Sequence, residues 1–376
     1  MIQTYKPRLV SLFSGCGGMD LGFQSAGYDI VWANDIDQDA CATYRHNIGD
    51  IIEGDVTSQA VPDLQKVDVL TSGFPCQPFS NAGSRRGTSD PRGKLYENTM
   101  EFVEKLQPKV VVIENVRGLL STKVDDRTLI DVLEERLESL GYFVQHRLVN
   151  FSHFGVPQNR IRVLVIAVRN KEWLPGVFPE ITVGKDLSLK ATLKGLTKKH
   201  LNQTELMRLN PQALHYGSMI PPGGSWKSLD YEILPERWKK IRDNMAKYHY
   251  PNFFRRYAPD EISGTITAAF KPENAGVWHP VESRIMSVRE IARIQTFPDQ
   301  FEFKGRTVKS KYQQIGNAVP PHIAFQIAKQ INSLLNNQSN AHQRILPESH
   351  ELNVNRPLHK QPPEILSRFE VAIAAE

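Results

Sequence analysis

The sequence predicts an α/β fold, in which a doubly wound, mostly parallel sheet is joined by a second, smaller basic domain. Short apolar runs alternate with amphipathic stretches through the first 170 residues, as in a parallel sheet covered by helices on both faces. Glycines and carboxylates follow the first runs, at the positions where such sheets bind ligands. The segment 171–284 carries 17 lysines and arginines against 12 acidic residues, whereas the rest of the 376-residue chain has 29 of each.

Seven short runs are the expected strands. They are RLVSLF (8–13), DIVWAND (29–35), IIEGD (51–55), VDVLTSG (67–73), KVVVIEN (109–115), FVQHRLV (143–149) and RVLVIAV (162–168). Between the fifth and sixth runs, leucines at 129, 133, 137 and 140 recur at helical spacing, and Gly141 is the expected C-terminal cap. Residues 321–335, PHIAFQIAKQINSLL, predict an amphipathic helix that closes the first domain.

Composition limits the cellular setting and the partners. No stretch approaches the roughly 18 apolar residues of a membrane span, and the opening MIQTYKPRLV lacks the apolar block of a secretory signal. We therefore expect a soluble, cytoplasmic protein with no membrane partner. The basic segment favours a polyanionic partner, although an ordinary solvated surface would give the same count.

The first loop indicates a nucleoside ligand. In FSGCGGMDLGFQSAG, Gly15, Gly17 and Gly18 allow the backbone to turn tightly and to approach a ligand. Asp35 follows about 20 residues later, where a carboxylate can accept hydrogen bonds from ribose, and Asp55 ends the third run. The G-x-G-G spacing differs from the G-x-G-x-x-G pattern of dinucleotide sites, so a nucleoside without a pyrophosphate fits better.

The stretch GFPCQPFSNAG holds Cys76 between two prolines directly after a predicted strand. The three cysteines, Cys16, Cys41 and Cys76, match no disulfide framework, and no metal ligand lies near Cys76, so we expect no metal site. A buried structural thiol and a nucleophile remain as alternatives. Glu114 ends the next predicted strand, so adjacent strands would bring the thiol and the carboxyl over one crevice, although Glu114 could also cap a helix.

Six motifs, taken in order, resemble those of the DNA (cytosine-5)-methyltransferase family, and the bacterial modification type in particular. The resemblance extends from Arg8 to Asn332. It implies a Rossmann-like, S-adenosylmethionine-dependent methyltransferase fold and a cytosine that swings out of duplex DNA. The motifs are SLFSGCGGMDLGF (for DLFSGxGG), GFPCQPFS, ENV (114–116), QNRIR (158–162), SVREIARIQTFPD (287–299) and QIGNAVPP (314–321).

The resemblance also implies roles for individual residues. Cys76 would add to carbon-6 of the cytosine, and Glu114 would stabilise the charge that develops at ring nitrogen 3. Arg162 would contact the target base, and Arg160 would help to order the nucleophile loop. The residues expected to surround S-adenosylmethionine are Phe13, Gly15, Gly17, Asp35, Asp55, Leu95, Asn317 and Val319.

The same resemblance divides the chain. Residues 1–170 and 285–335 would form the catalytic and cofactor-binding domain, 171–284 the target-recognition domain, and 336–376 a flexible extension. In the recognition domain we expect lysines and arginines to contact phosphates, and Trp226, Trp238 and Phe253 to form a core. The implied partners are double-stranded DNA and, functionally, a restriction endonuclease, with the enzyme acting as a monomer.

Three alternatives have different sequence requirements. A tRNA cytosine-5 methyltransferase of the same superfamily would carry a Cys-Phe-Thr signature in the variable part, but no cysteine follows Cys76. A nicotinamide or flavin oxidoreductase would need the longer glycine pattern. A DNA-binding protein without catalysis would leave the pairing of Cys76 with Glu114 unexplained.

Overall fold

The structure is a computed structural model. It describes residues 5–75, 95–124, 126–182, 184–247, 253–271 and 278–341, with side chains as far as residue 336. The residues up to Asn336 form one compact unit, and their division into a catalytic and a recognition domain stays a prediction. None of the helices in the described ranges has the length and apolar character needed to cross a membrane.

In the described part of the first 124 residues, strands mostly alternate with helices, as the sequence predicts. In chain order they are β1 (Arg8–Leu12), α1 (Gly18–Ser25), β2 (Asp29–Asp35), α2 (Gln38–Asn47), β3 (Ile52–Glu53), β4 (Val69–Ser72), α3 (Leu95–Leu106), β5 (Val110–Val116) and β6 (Lys123–Val124).

The later elements begin with a short hairpin strand and end with a long helix. They are β7 (Arg127–Thr128), α4 (Leu129–Ser139), β8 (Phe143–Asn150), β9 (Ile161–Val168), α5 (Leu189–Leu193), α6 (Pro211–Met219), α7 (Glu236–Asp243), α8 (Val288–Ile294), α9 (Val308–Asn317) and α10 (Pro321–Ala341).

Seven strands of the described chain form one sheet in the order β3-β2-β1-β4-β5-β9-β8. The pairs from β3 to β5 are parallel, whereas β9 runs antiparallel to β5 and to β8, so the predicted mostly parallel sheet is confirmed. β4 lies directly beside β5, with Ser72 opposite Ile113. The predicted adjacency of these two strands is confirmed, and the placement of Cys76 lies outside the described residues.

The sheet is covered on both faces, which explains why its central strands are almost wholly apolar. On one face, side chains of α1 and α10, among them Phe23, Ile323 and Ile327, pack against Val69 and Val112 of the strands. On the other face, the strands pack against α3 and α4. The predicted helix at 321–335 is confirmed, because α10 spans these residues and packs in the core of the first face, whereas its role in closing a separate first domain stays a prediction.

Helix α4 illustrates how local signals set the ends of an element. The side chain of Thr128 accepts a hydrogen bond from the backbone N–H of Asp131, which caps the N-terminus. The predicted Gly141 lies just beyond the helix with φ of 84°, a left-handed conformation that favours glycine. Leu133 and Leu137 are fully buried against the sheet. The predicted helix is confirmed.

An aromatic cluster stabilises the middle of the chain. Trp226 is fully buried and stacks on Phe253, with ring centroids 4.5 Å apart, and Trp238 meets Phe253 edge-on at 5.2 Å. Aromatic contacts of this kind add to the hydrophobic stabilisation of a small core. These three residues therefore contribute to packing, as the sequence analysis expects.

Candidate active site

A cavity of about 780 Å³ opens beyond the carboxyl ends of β1, β2, β4 and β5. This is the edge at which parallel α/β sheets bind ligands. Cys76 lies outside the described residues, and Gly17, Asp55 and Leu95 do not line the cavity. The predicted site residues that do line it are Phe13, Gly15, Asp35, Glu114, Arg160, Arg162, Asn317 and Val319.

The loop between β1 and α1 forms one wall of the cavity. Phe13 and Gly15 both have left-handed backbones, with φ of 55° and 56°, and Gly17 has φ of 89°. A Cβ atom on Gly17 would lie 2.1 Å from the side chain of Ile48 and 2.8 Å from that of Tyr44. The structure therefore explains this glycine by close packing against α2, while its contact with a cofactor stays a prediction.

Asp35, at the end of β2, holds this loop in place. Its carboxylate accepts hydrogen bonds from the backbone N–H of Gly15, at 2.7 Å, and from that of Asp37, at 2.8 Å. Burial raises the pKa of Asp35, and the two backbone hydrogen bonds oppose that effect. Each carboxylate oxygen can accept more than one hydrogen bond, so Asp35 retains acceptor capacity toward a ligand.

Two predicted cofactor residues lie outside the cavity wall. The exposed side chain of Asp55 accepts hydrogen bonds from the backbone N–H and the hydroxyl of Thr57, at 2.9 and 2.8 Å, and so caps a short 3₁₀ turn. Leu95 begins α3 and packs at the border of the core. Their contacts with S-adenosylmethionine stay predictions.

Glu114 and Arg162 form a buried ion pair at the far side of the cavity. Arg162 Nε lies 3.1 Å from Glu114 Oε1, and the two side chains are 13% and 9% exposed. The antiparallel register of β5 and β9 brings them together. Arg162 lies opposite Val116, which is two residues beyond Glu114 on β5, so Glu114 and Arg162 are diagonal neighbours across the two strands. Burial lowers the pKa of Arg162, and the charge of Glu114 opposes that shift. The contact is an ion pair, and Glu114 Oε1 has no further hydrogen-bond partner among the described residues.

Arg160 is fully buried and faces backbone carbonyls. Its guanidinium donates to the carbonyl oxygens of Ile266, Gly316 and Ala318, at 3.0 to 3.2 Å. A Cβ atom on Gly316 would lie 2.3 Å from the backbone of Thr267, so these two segments approach each other closely. Arg160 thus joins two segments that line the cavity. Its predicted effect on the nucleophile loop stays a prediction, because that loop lies outside the described residues.

Three side chains that line the cavity each carry one buried polar atom that makes no hydrogen bond to any described residue. These atoms are Thr71 Oγ1, Glu114 Oε1 and Arg160 Nε, and they make up half of the six such side-chain atoms in the described part of the chain. An unpaired buried polar group costs about 1–3 kcal/mol, so three such atoms in the lining of one cavity mark it as a candidate site, although Glu114 Oε1 has Arg162 as its ion-pair partner. Thr71 is not among the residues predicted from the sequence, although a polar residue near the end of an apolar strand was a signal.

The two described cysteines are buried and poorly suited to act as nucleophiles. Cys16 lines the cavity, and burial strongly raises the pKa of its thiol. Burial and the charge of Asp35 raise the pKa of the Cys41 thiol to about 12. Because the thiolate is the reactive form, neither group is a ready nucleophile near neutral pH.

Comparison with known proteins identifies the family. The family model for C-5 cytosine-specific DNA methylases matches residues 7–333. The type II methyltransferase M.NgoFVII of Neisseria gonorrhoeae is 37% identical over 348 residues, which cover 88% of this chain and 87% of that protein. M.Eco47II of Escherichia coli is 37% identical over 343 residues, which cover 87% and 79% of the two chains.

Solved structures support the fold. The structure of the S. pombe Dnmt2 methyltransferase matches with a TM-score of 0.63 and 20% sequence identity, covering 88% of this chain and all of that one. The Entamoeba histolytica methyltransferase EhMeth matches with a TM-score of 0.61 and 16% identity, covering 88% and 99%. The methyltransferase fold expected from the sequence is therefore confirmed. The chain belongs to the C-5 cytosine-specific DNA methylases, and it is a DNA (cytosine-5)-methyltransferase.

Proposed function

We propose that the protein is the modification enzyme of a type II restriction-modification system. It would transfer a methyl group from S-adenosylmethionine to carbon-5 of a cytosine that has swung out of duplex DNA. The observation that carries this proposal is that the Glu114–Arg162 ion pair shares one cavity with the glycine loop and Asp35. M.NgoFVII and M.Eco47II, which are named type II methyltransferases, support the assignment to a modification system.

The residues around the glycine loop suit S-adenosylmethionine. Asp35 offers carboxylate oxygens for ribose hydroxyls, and Phe13 and Val319 offer apolar surface on two walls of the cavity. Gly15 and Asn317 complete this part of the wall, which leaves the side with Glu114 and Arg162 for the base. When bound, S-adenosylmethionine supplies an electrophilic methyl group.

The base needs activation, because carbon-5 of neutral cytosine is a poor nucleophile. Cys76 would form a bond from its sulfur to carbon-6, which moves the electrons of the ring double bond toward carbon-5 and nitrogen 3. The carboxyl group of Glu114, held in place by Arg162, would give a proton to nitrogen 3 and so neutralise the negative charge that develops there. Once carbon-5 carries the methyl group, loss of its proton would return electrons to the ring and break the bond from carbon-6 to sulfur.

Cys76 is the cysteine best suited to this step. Cys16 and Cys41 are buried, and the pKa of each is raised by burial. The assignment of Cys76 rests on its GFPCQPFS motif, since the residue lies outside the described ranges. Bringing the target carbon to a thiol requires the base to leave the duplex, at a cost of a few kcal/mol, about the unstacking energy of one base. Contacts from the basic segment 171–284 would offset that cost.

One assay tests the substrate. The protein is incubated with S-adenosylmethionine labelled in its methyl group and with either duplex DNA or tRNA, and label is followed into each polymer. We expect label in DNA alone. Label in tRNA alone would contradict the proposed activity. Sequencing of methylated cytosines in DNA from cells that express the protein would then define the recognition site.

A further inference from the structure

A side chain joins the ends of β4 and β5 beyond the point where their backbones pair. In the described part of the chain, the parallel ladder between these strands ends at Ser72 and Ile113, while β5 continues to Val116 beside β9. Beyond the ladder, Asn115 Nδ2 donates to the carbonyl oxygen of Phe74 at 3.0 Å. Both residues are buried, and both line the cavity. The amide thus takes over a link that the sheet no longer supplies.

The orientation of the Asn115 amide follows from its two partners. Its Oδ1 accepts a hydrogen bond from the backbone N–H of Val116 at 2.9 Å, so Nδ2 is the atom that faces the Phe74 carbonyl oxygen. An amide oxygen only accepts and an amide nitrogen only donates, so each contact requires the orientation that the other one has. The side chain cannot turn over without losing both hydrogen bonds. Asn115 is therefore a fixed link between the two segments.

The proposed reacting groups lie on either side of this link in the sequence. Glu114 immediately precedes Asn115, and adjacent residues of a strand point to opposite faces of the sheet, so Asn115 turns toward Phe74 and away from its neighbour. Cys76 follows Phe74 after Pro75. Because Pro75 has no backbone N–H, it cannot donate a hydrogen bond to β5. The Phe74 carbonyl is therefore the last described group on this segment that is bonded to β5.

We propose that Asn115 is a positioning residue, which fixes the Phe74 carbonyl and thereby sets the distance between the nucleophile loop and the Glu114 carboxyl. This inference rests on the proposed function, in which Cys76 attacks carbon-6 and Glu114 gives a proton to nitrogen 3. The two groups act on one ring, so an error of about 1 Å between them can lower the rate by about 10²-fold. Asn115 itself takes no part in making or breaking bonds.

Asn115→Asp replaces the donor of this contact by a group whose bonding depends on pH. One carboxylate oxygen can still accept from Val116, but the other then faces the Phe74 carbonyl oxygen and repels it. Below the pKa of the new carboxyl, its O–H can donate to that carbonyl and restore the contact. We expect methyl transfer about 10²-fold slower than in the original protein at about pH 8, with a gap that narrows toward about pH 6, because burial raises the pKa of a carboxyl.

Two further variants separate the hydrogen bond from other effects. Leucine has nearly the size of asparagine but cannot donate, so Asn115→Leu should lose the same activity at every pH. Asn332→Asp makes the first chemical change elsewhere, since Asn332 Nδ2 donates to the carbonyl oxygen of Ala26 at 3.1 Å and does not line the cavity. Its rate should stay close to that of the original protein throughout the pH range.

The measurement is single-turnover transfer of labelled methyl groups to duplex DNA, given as a ratio to the original protein at each pH. The ratio cancels the titration of Glu114 and Arg162, which are present in all of the proteins. Calorimetry with S-adenosylhomocysteine gives the folded fraction of each sample, so that rates are compared per folded molecule. Its Kd should be unchanged, because the link acts on the segment that leads to Cys76.

Three results would overturn the inference. Asn115→Leu could be as active as the original protein, which would show that the link does not position a reacting group. The two Asn115 variants could lose the same activity at every pH, which would indicate a packing role only. Both could bind S-adenosylhomocysteine more weakly in proportion to their slower transfer, which would place their effect on the cofactor. If the original protein itself transferred no methyl group to duplex DNA, the proposed function would fail first.

Discussion

Replacing Cys76 with serine is expected to lower kcat by about four orders of magnitude or more, as for the loss of other covalent nucleophiles. A serine hydroxyl is far less readily ionised than a thiol, so addition to carbon-6 of cytosine would not compete. The affinity for S-adenosylmethionine should be nearly unchanged, because the thiol acts on the base. Single-turnover transfer of labelled methyl groups measures the first quantity, and calorimetry measures the second.

A second cysteine provides the control. Cys41→Ser makes the same atomic change at a thiol that is buried on α2 and donates to the Asp35 carbonyl oxygen. A serine hydroxyl can make that hydrogen bond too, so turnover should stay close to that of the unchanged protein. Clear residual turnover in Cys76→Ser would mean that another group attacks the base.

Glu114→Gln is expected to lower kcat by about 10²–10³, the usual loss when one group that stabilises transition-state charge is removed. Glutamine has nearly the same shape as glutamic acid and can stay beside Arg162, but its amide has no acidic proton to give to nitrogen 3 of the activated ring. The KM for S-adenosylmethionine should change little, because Glu114 lies on the side of the cavity assigned to the base. Steady-state kinetics with saturating DNA separate these two constants.

Glu134→Gln is the matched control for this change. Glu134, on α4, pairs with His146 at 2.6 Å, and neither residue lines the cavity. Removing its charge should leave kcat near that of the unchanged protein. Thermal unfolding of both variants checks that the fold is kept. If Glu114→Gln were as active as Glu134→Gln, the proposed role of Glu114 would be wrong.

Much of the sheet was predictable because its order follows from alternating apolar runs and helices. The adjacency of β4 and β5 is an example, and so is α4 with its cap at Gly141. The direction of β8 and β9 was not read from their apolar residues, since such runs look alike in parallel and antiparallel strands. The short connection at 151–160 was the available signal, because a parallel crossover needs a dozen residues or more.

The candidate site was predicted less completely, because contacts distant in sequence decide what a side chain does. Arg160 and Arg162 are two residues apart, which predicts that they lie close together on one segment. Only Arg162 forms an ion pair with Glu114, whereas Arg160 donates to backbone carbonyl oxygens of residues more than 100 positions away in sequence. A strand-end carboxylate predicts a ligand contact equally well at Asp35 and Asp55, but only Asp35 lines the cavity. The buried hydrogen bonds of Asp20 were likewise not predictable, because Ser11 and Tyr44 meet it only in the fold.

The covalent step is tested most directly with duplex DNA that carries 5-fluorocytosine at the target position. Fluorine cannot leave carbon-5 as a proton does, so the bond from carbon-6 to sulfur should persist after methyl transfer. With S-adenosylmethionine present, we expect a protein–DNA complex that survives denaturing electrophoresis and whose crosslinked peptide contains Cys76. The same complex formed equally well by Cys76→Ser, or no complex from a protein that methylates ordinary cytosine, would contradict the mechanism.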